Sequence, residues 1–170
     1  MIYLLYGDDD FTIQEALVSL RSEVGLPDVR DVNTTAFDAS VSRAEMMATC
    51  DTVPFLADKR LVIIRGLLTR FERRRPSRSR SKSDSAKAGL GDWEGLSEYL
   101  ERVPETTDLI FVDGALAASN PLFKAVLPYA NSRLFSRPNP TDLRQWIRTR
   151  VASMGADIEP NAGDELSETI

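Results

Sequence analysis

Apolar residues fall into short unbroken runs separated by stripes at helical spacing. Ile2–Tyr6 is closed by Gly7. Leu61–Ile64 is four apolar residues in a row with an arginine at each end. Leu109–Val112 is apolar throughout and ends at Asp113 and Gly114. Runs without polar alternation predict parallel strands covered on both faces. Weaker runs at Val29–Asn33 and Arg133–Ser136 predict a second and a fifth strand, with Phe37 as an anchor in the polar loop between Asn33 and Ser40. Between the strands, Ile13, Leu17 and Leu20 form a helical stripe. Asp8, Asp9 and Asp10 precede it as N-cap or dipole partners, and Gly25 and Pro27 are expected to end it. Ser42 followed by Glu45 has the spacing of a capping box. Trp93, Leu96 and Leu100 share one helical face, and Asn120 before Pro121 starts another helix.

Strands alternating with helices predict an α/β fold: a doubly wound parallel sheet of five strands, helices on both faces. Pro138 and Pro140 mark a boundary, followed by an amphipathic helix from Thr141 to Val151. The expected division is a first domain over 1–138 and the start of a second over 139–170. Ser167–Ile170 does not read as a domain end, so the chain is expected to belong to a longer one. Arg73–Ser85 offers only Pro76 to a core, and an insertion over about 72–90 is expected to be disordered. Its Arg73, Arg74, Arg75, Arg78 and Arg80 are a candidate phosphate contact, although charge alone specifies no sequence.

Composition narrows the chemistry. Of 170 residues, 42% are hydrophobic and 28% charged, the balance of a globular protein. No run is long enough to span a bilayer, and Met1–Tyr6 lacks a basic leader and a small-residue cleavage site, so neither a membrane span nor a signal peptide is expected. The single cysteine, Cys50, excludes an internal disulfide, and the absence of histidine excludes imidazole bases and histidine-ligated metals. A formal net charge of -5 argues against a surface that coats DNA along its length.

The stretch Val53-Pro54-Phe55-Leu56 precedes Asp58-Lys59-Arg60 and the third strand. It lies on a connection, and connections run over the surface. Two adjacent large apolar side chains there are either folded back onto the core or held out for a partner.

Strand ends are where ligands sit in such sheets. A phosphate loop requires G-x-x-x-x-G-K-[ST], with glycines for close approach, a lysine for phosphate and a hydroxyl for magnesium. Here Gly7 leads into Asp8, Asp9, Asp10 and Phe11, with Thr12 beyond; the second glycine and the lysine are missing. The loop has the right position and a charge hostile to phosphate. A phospho-receiver lacks its acceptor, because the third strand ends in Ile64-Arg65-Gly66. Asp8, Asp9, Asp10 and Asp113 at adjacent strand ends are compatible with magnesium, yet nothing names a substrate, and no metal or cofactor is expected.

Three pieces together carry a resemblance: Leu4-Leu5-Tyr6-Gly7-Asp8-Asp9-Asp10-Phe11 with Glu15-Ala16-Leu17, then Pro54-Phe55-Leu56-Ala57-Asp58-Lys59-Arg60-Leu61-Val62, then Leu143-Arg144-Gln145-Trp146-Ile147. In this order and spacing the chain resembles the delta-subunit family of the bacterial DNA polymerase III clamp loader, apart from the Arg/Ser insertion. The resemblance implies an AAA+-type, P-loop NTPase-like domain with strand order 5-1-4-3-2 and a degenerate nucleotide site, then the start of a helical lid. A third, collar-forming domain would lie beyond. It implies no ATP hydrolysis and no catalysis by the chain itself, within a DNA-directed DNA polymerase (nucleotidyltransferase) holoenzyme. The family grips the ring-shaped sliding clamp with an adjacent apolar pair. That pair matches Phe55 and Leu56, flanked by Pro54 and Val53, in the reverse of the family's usual Leu-Phe order. Other loader subunits and, transiently, DNA are the further partners implied. The competing readings are a nucleotide- or magnesium-dependent phosphotransfer domain of the same fold and an RNA scaffold acting through the arginines.

Overall fold

The computed structural model describes residues 1–72, 90–137, 140–153, 155–156, 159 and 162. The chain divides into two compact units, Met1–Phe135 and Ser136–Ile170. The arginine-rich stretch from Arg73 to Ser85, including Arg73, Arg74, Arg75, Arg78 and Arg80, lies outside the described residues, as do Pro138 and the last eight positions.

In the first unit the strands are β1 (Ile2–Gly7), β2 (Thr34–Phe37), β3 (Arg60–Arg65), β4 (Thr107–Asp113) and β5 (Asn131–Phe135). They form one all-parallel sheet in the order β2-β3-β4-β1-β5. Read from the other edge, this is the expected 5-1-4-3-2. The helices are α1 (Asp10–Ser22), α2 (Pro27–Val32), α3 (Arg43–Cys50), α4 (Leu96–Leu100) and α5 (Pro121–Val126). Period-two alternation explains why the central strands need unbroken apolar runs. Leu4, Val62, Ile64, Leu109 and Phe111 enter one core with Met46, Cys50, Trp93, Leu96 and Phe123. Their strand neighbours Leu5, Leu61, Ile63, Ile110 and Val112 enter the other, beneath Ile13, Leu17 and Leu20 of α1. Phe11 and Val18, on the far side of α1, are exposed.

The second strand is not where the apolar run placed it. Pro27 starts a helix instead of closing one: it occupies the first turn of α2, with Asp28 beside it, and Val29–Val32 continue that helix. A proline whose missing N–H is of no consequence there, followed by an acid at the positive end of the dipole, outweighs two valines. The strand comes later, at Thr34-Thr35-Ala36-Phe37, on the sheet edge, where only one neighbour is required and polar residues are tolerated. Phe37 packs against the core as expected, but from a strand. The Ser42 hydroxyl accepts the Glu45 N–H, as the spacing implied.

In the second unit, α6 runs from Pro140 to Ser153. Asp142 lies in its first turn and Arg150 in its last, each complementing the helix dipole.

Candidate functional site

The connection from α3 to β3 forms a projecting tip with an anchored backbone. Its start is fixed from below: the Thr107 hydroxyl donates to the Cys50 carbonyl at 2.7 Å, and the Tyr99 hydroxyl to the Asp51 carboxylate at 2.8 Å. At its far end Lys59 meets the buried Asp108 carboxylate at 2.9 Å, a pair that also takes in the Met1 ammonium. In between, Val53, Phe55 and Leu56 are 80%, 61% and 78% exposed, with Pro54 half-buried. Of the two arrangements open to this apolar pair, the one held out in solvent is found. Leu56 has φ of 50°, the sole non-glycine residue with positive φ among the described residues. A branched side chain in the left-handed region costs on the order of 1 kcal/mol.

Asn33, fully buried at the end of α2, was not singled out by sequence reasoning. Its Oδ1 accepts the Phe55 N–H at 2.6 Å, and its Nδ2 donates to the Phe55 carbonyl at 2.7 Å and the Val29 carbonyl at 2.8 Å. The only sequence signal was an asparagine directly before a strand of threonines, which reads as an ordinary helix end.

The loop after β1 is closed upon the protein. Gly7 has φ of +141°, and a Cβ there would lie 1.9 Å from the Phe135 carbonyl oxygen. This close approach lets the Asp8 and Asp9 N–H groups both donate to that oxygen, at 3.0 and 3.2 Å, while the Gly7 N–H donates to Gly114. A phosphate loop turns its amides toward the ligand; here Phe135 takes those of Asp8 and Asp9. Asp9 is the residue of the acidic triplet that caps α1, accepting from the Thr12 N–H at 3.1 Å and the Thr12 hydroxyl at 2.6 Å. The hydroxyl that a nucleotide site would offer to magnesium is therefore engaged by a carboxylate.

Asp113, at the end of β4, is buried and turned toward the chain after β3. It accepts from the Leu68 N–H at 3.2 Å and from the N–H and hydroxyl of Thr69, each at 2.8 Å. Burial raises its carboxyl above the ordinary aspartate range, with the three donors opposing the shift. Beside it Asn120 caps α5 through Oδ1 and donates to the Leu68 carbonyl and to Glu72, which also receives the Ala117 N–H. This network, also missed in the sequence beyond the Asn120 cap, ties the ends of β3 and β4 to α5. Among the described residues no three acidic or cysteine side chains are grouped to hold a metal ion. The Cys50 thiol is buried, and burial pushes it up to about 12, away from reactivity. Among the described residues no helix is long and apolar enough to cross a membrane.

A five-stranded parallel sheet in this order, with separate cores on its two faces, defines an α/β domain of the doubly wound class. Residues 3–128 match the model of the family described as DNA polymerase III, delta subunit, and the chain belongs to that family. Over 65 residues it is 31% identical to DNA polymerase III subunit delta of Bacillus subtilis, a match covering 38% of this chain and 19% of that protein. The solved Bacillus subtilis DNA clamp loader delta protein superposes with a TM-score of 0.70 at 20% identity, over 97% of this chain and 47% of the other. A DNA polymerase III gamma subunit-related protein of Thermotoga maritima shares the fold at a TM-score of 0.50 and 12% identity, over 98% of this chain and 53% of the other. The chain thus spans about half the length of the solved relative of its own family.

Proposed function

We propose that this chain is the clamp-gripping part of a clamp-loader delta subunit, inserting Phe55 and Leu56, flanked by Val53 and Pro54, into an apolar pocket of the sliding clamp. This grip helps hold one interface of the ring open for loading onto primed DNA. The observation that carries the reading is the exposure of three large apolar side chains on a backbone fixed at both ends. Exposed apolar clusters of this kind mark interaction sites, and a few such anchors dominate an interface. In this reading the second unit begins the lid domain, the remaining partners are other loader subunits and transiently DNA, and the setting is the bacterial cytoplasm.

The test is binding of the cognate sliding clamp to the wild type and to the Phe55→Ala/Leu56→Ala double variant. Each truncation is expected to cost roughly 2–4 kcal/mol of affinity, enough to abolish capture at micromolar protein. Retained binding would sink the proposal.

The phosphotransfer reading finds no support in the closed loop: the Asp8 and Asp9 amides, the Thr12 hydroxyl and Asp113 are all engaged within the protein. Titration with ATP and magnesium is expected to give no saturable signal. Micromolar, magnesium-dependent binding would reopen that reading.

A further inference from the structure

We infer that Asn33 is a positioning residue for the tip, holding Phe55 and Leu56 in their partner-ready conformation before any partner arrives. The inference rests on the clamp-gripping reading and extends it to a residue that would not itself need to touch the clamp. One planar amide meets both backbone groups of Phe55, accepting its N–H at 2.6 Å and donating to its carbonyl at 2.7 Å. The third polar link, from Nδ2 to the Val29 carbonyl at 2.8 Å, uses the other amide hydrogen. One acceptor facing an N–H and two donors facing carbonyls fix which way the amide points. Aspartate would set a carboxylate against two carbonyls, and alanine would leave Phe55 without either link.

The support itself is rigid. The Asn33 N–H donates to the Val29 carbonyl at 3.2 Å, and its carbonyl accepts the Leu61 N–H at the start of β3 at 2.8 Å. Asn33 therefore joins the end of α2, the sheet and the tip. Leu56, the next residue, has its strained positive φ where the held backbone of Phe55 delivers it. Ordering a backbone residue costs conformational entropy. Meeting that cost within the free protein leaves more of the interface energy for affinity.

The experiment measures clamp affinity of the full chain for wild type, Asn33→Ala and the same-sized Asn33→Leu, at a temperature where circular dichroism shows all three folded. Amide hydrogen exchange at Phe55 is followed in parallel. Both variants are expected to lose roughly tenfold or more in affinity, with the Phe55 amide exchanging near the free-peptide rate. A purely structural role would lower the thermal midpoint and leave the affinity of the folded protein unchanged; that outcome overturns the inference. If neither variant folds, the wild type decides. Its Phe55 amide should exchange at least about a hundredfold more slowly than a free peptide, and absence of protection refutes the positioning role. The Phe55→Ala/Leu56→Ala variant keeps the two ideas separate. If it binds the clamp, the underlying reading fails; if it does not bind while Asn33→Ala does, only the positioning role fails.

Discussion

The loop after β1 and the tip before β3 treat their side chains in opposite ways. At the loop, groups that could face a ligand turn inward: the Asp8 and Asp9 amides go to Phe135, and the Thr12 hydroxyl to Asp9. At the tip the backbone of Phe55 is held from inside while the apolar side chains point out. Polar groups left unpaired in a closed loop would cost stability, so that loop contributes to the fold. Apolar groups left in water cost free energy until something covers them, which is how a binding surface stores its driving force. One parallel sheet thus carries a loop closed by its own hydrogen bonds and an open apolar projection.

The contrast gives paired expectations for affinity and stability. Truncating Phe55 and Leu56 together should remove clamp binding and shift the thermal midpoint by no more than about 2 °C, since exposed side chains contribute little to folding. Gly7→Ala should do the reverse. Its Cβ would overlap the Phe135 carbonyl at 1.9 Å, so β1 and β5 must part or the peptide must turn. A loss on the order of 3 kcal/mol or more is expected, read as a drop of roughly 10 °C in midpoint, with clamp binding intact below the transition. A Gly7→Ala protein as stable as wild type would mean that the closed loop is not structural.

The architecture was legible because its strongest signal is physical and local. A strand covered on both faces must be apolar at every position, and Leu61–Ile64 and Leu109–Val112 meet that condition. The edge strand was misplaced because one face and one edge impose no such pattern, so Thr34–Phe37 looked like a loop and Val29–Val32 like a strand. The tip was visible as an apolar pair on a connection, but its exposure was not, since burial depends on neighbours remote in sequence. Asn33 was illegible for the same reason: it precedes Phe55 by 22 positions, and that distance along the chain hides the pairing.

The carboxyl of Asp113 offers the finest separation between closed and open regions, and the smallest effect. Burial places its folded pKa above the ordinary aspartate value it keeps when unfolded, and the links to Leu68 and Thr69 only partly oppose that shift. Between the two values the folded protein binds more protons than the unfolded one, so this group's contribution grows as pH falls. It is fully present below the unfolded pKa and lost as pH rises through the folded one. Asp113→Asn removes the titration and adds a constant offset, because an amide nitrogen would face N–H donors. The stability of wild type minus that of Asp113→Asn, from urea unfolding, should therefore rise as pH is lowered from about 7 toward 4. A flat difference would mean that the strand end is as open to water as the tip, and the contrast between the two regions would collapse. Clamp affinity, by contrast, should be the same for both proteins at either pH, because neither Phe55 nor Leu56 carries a titrating group.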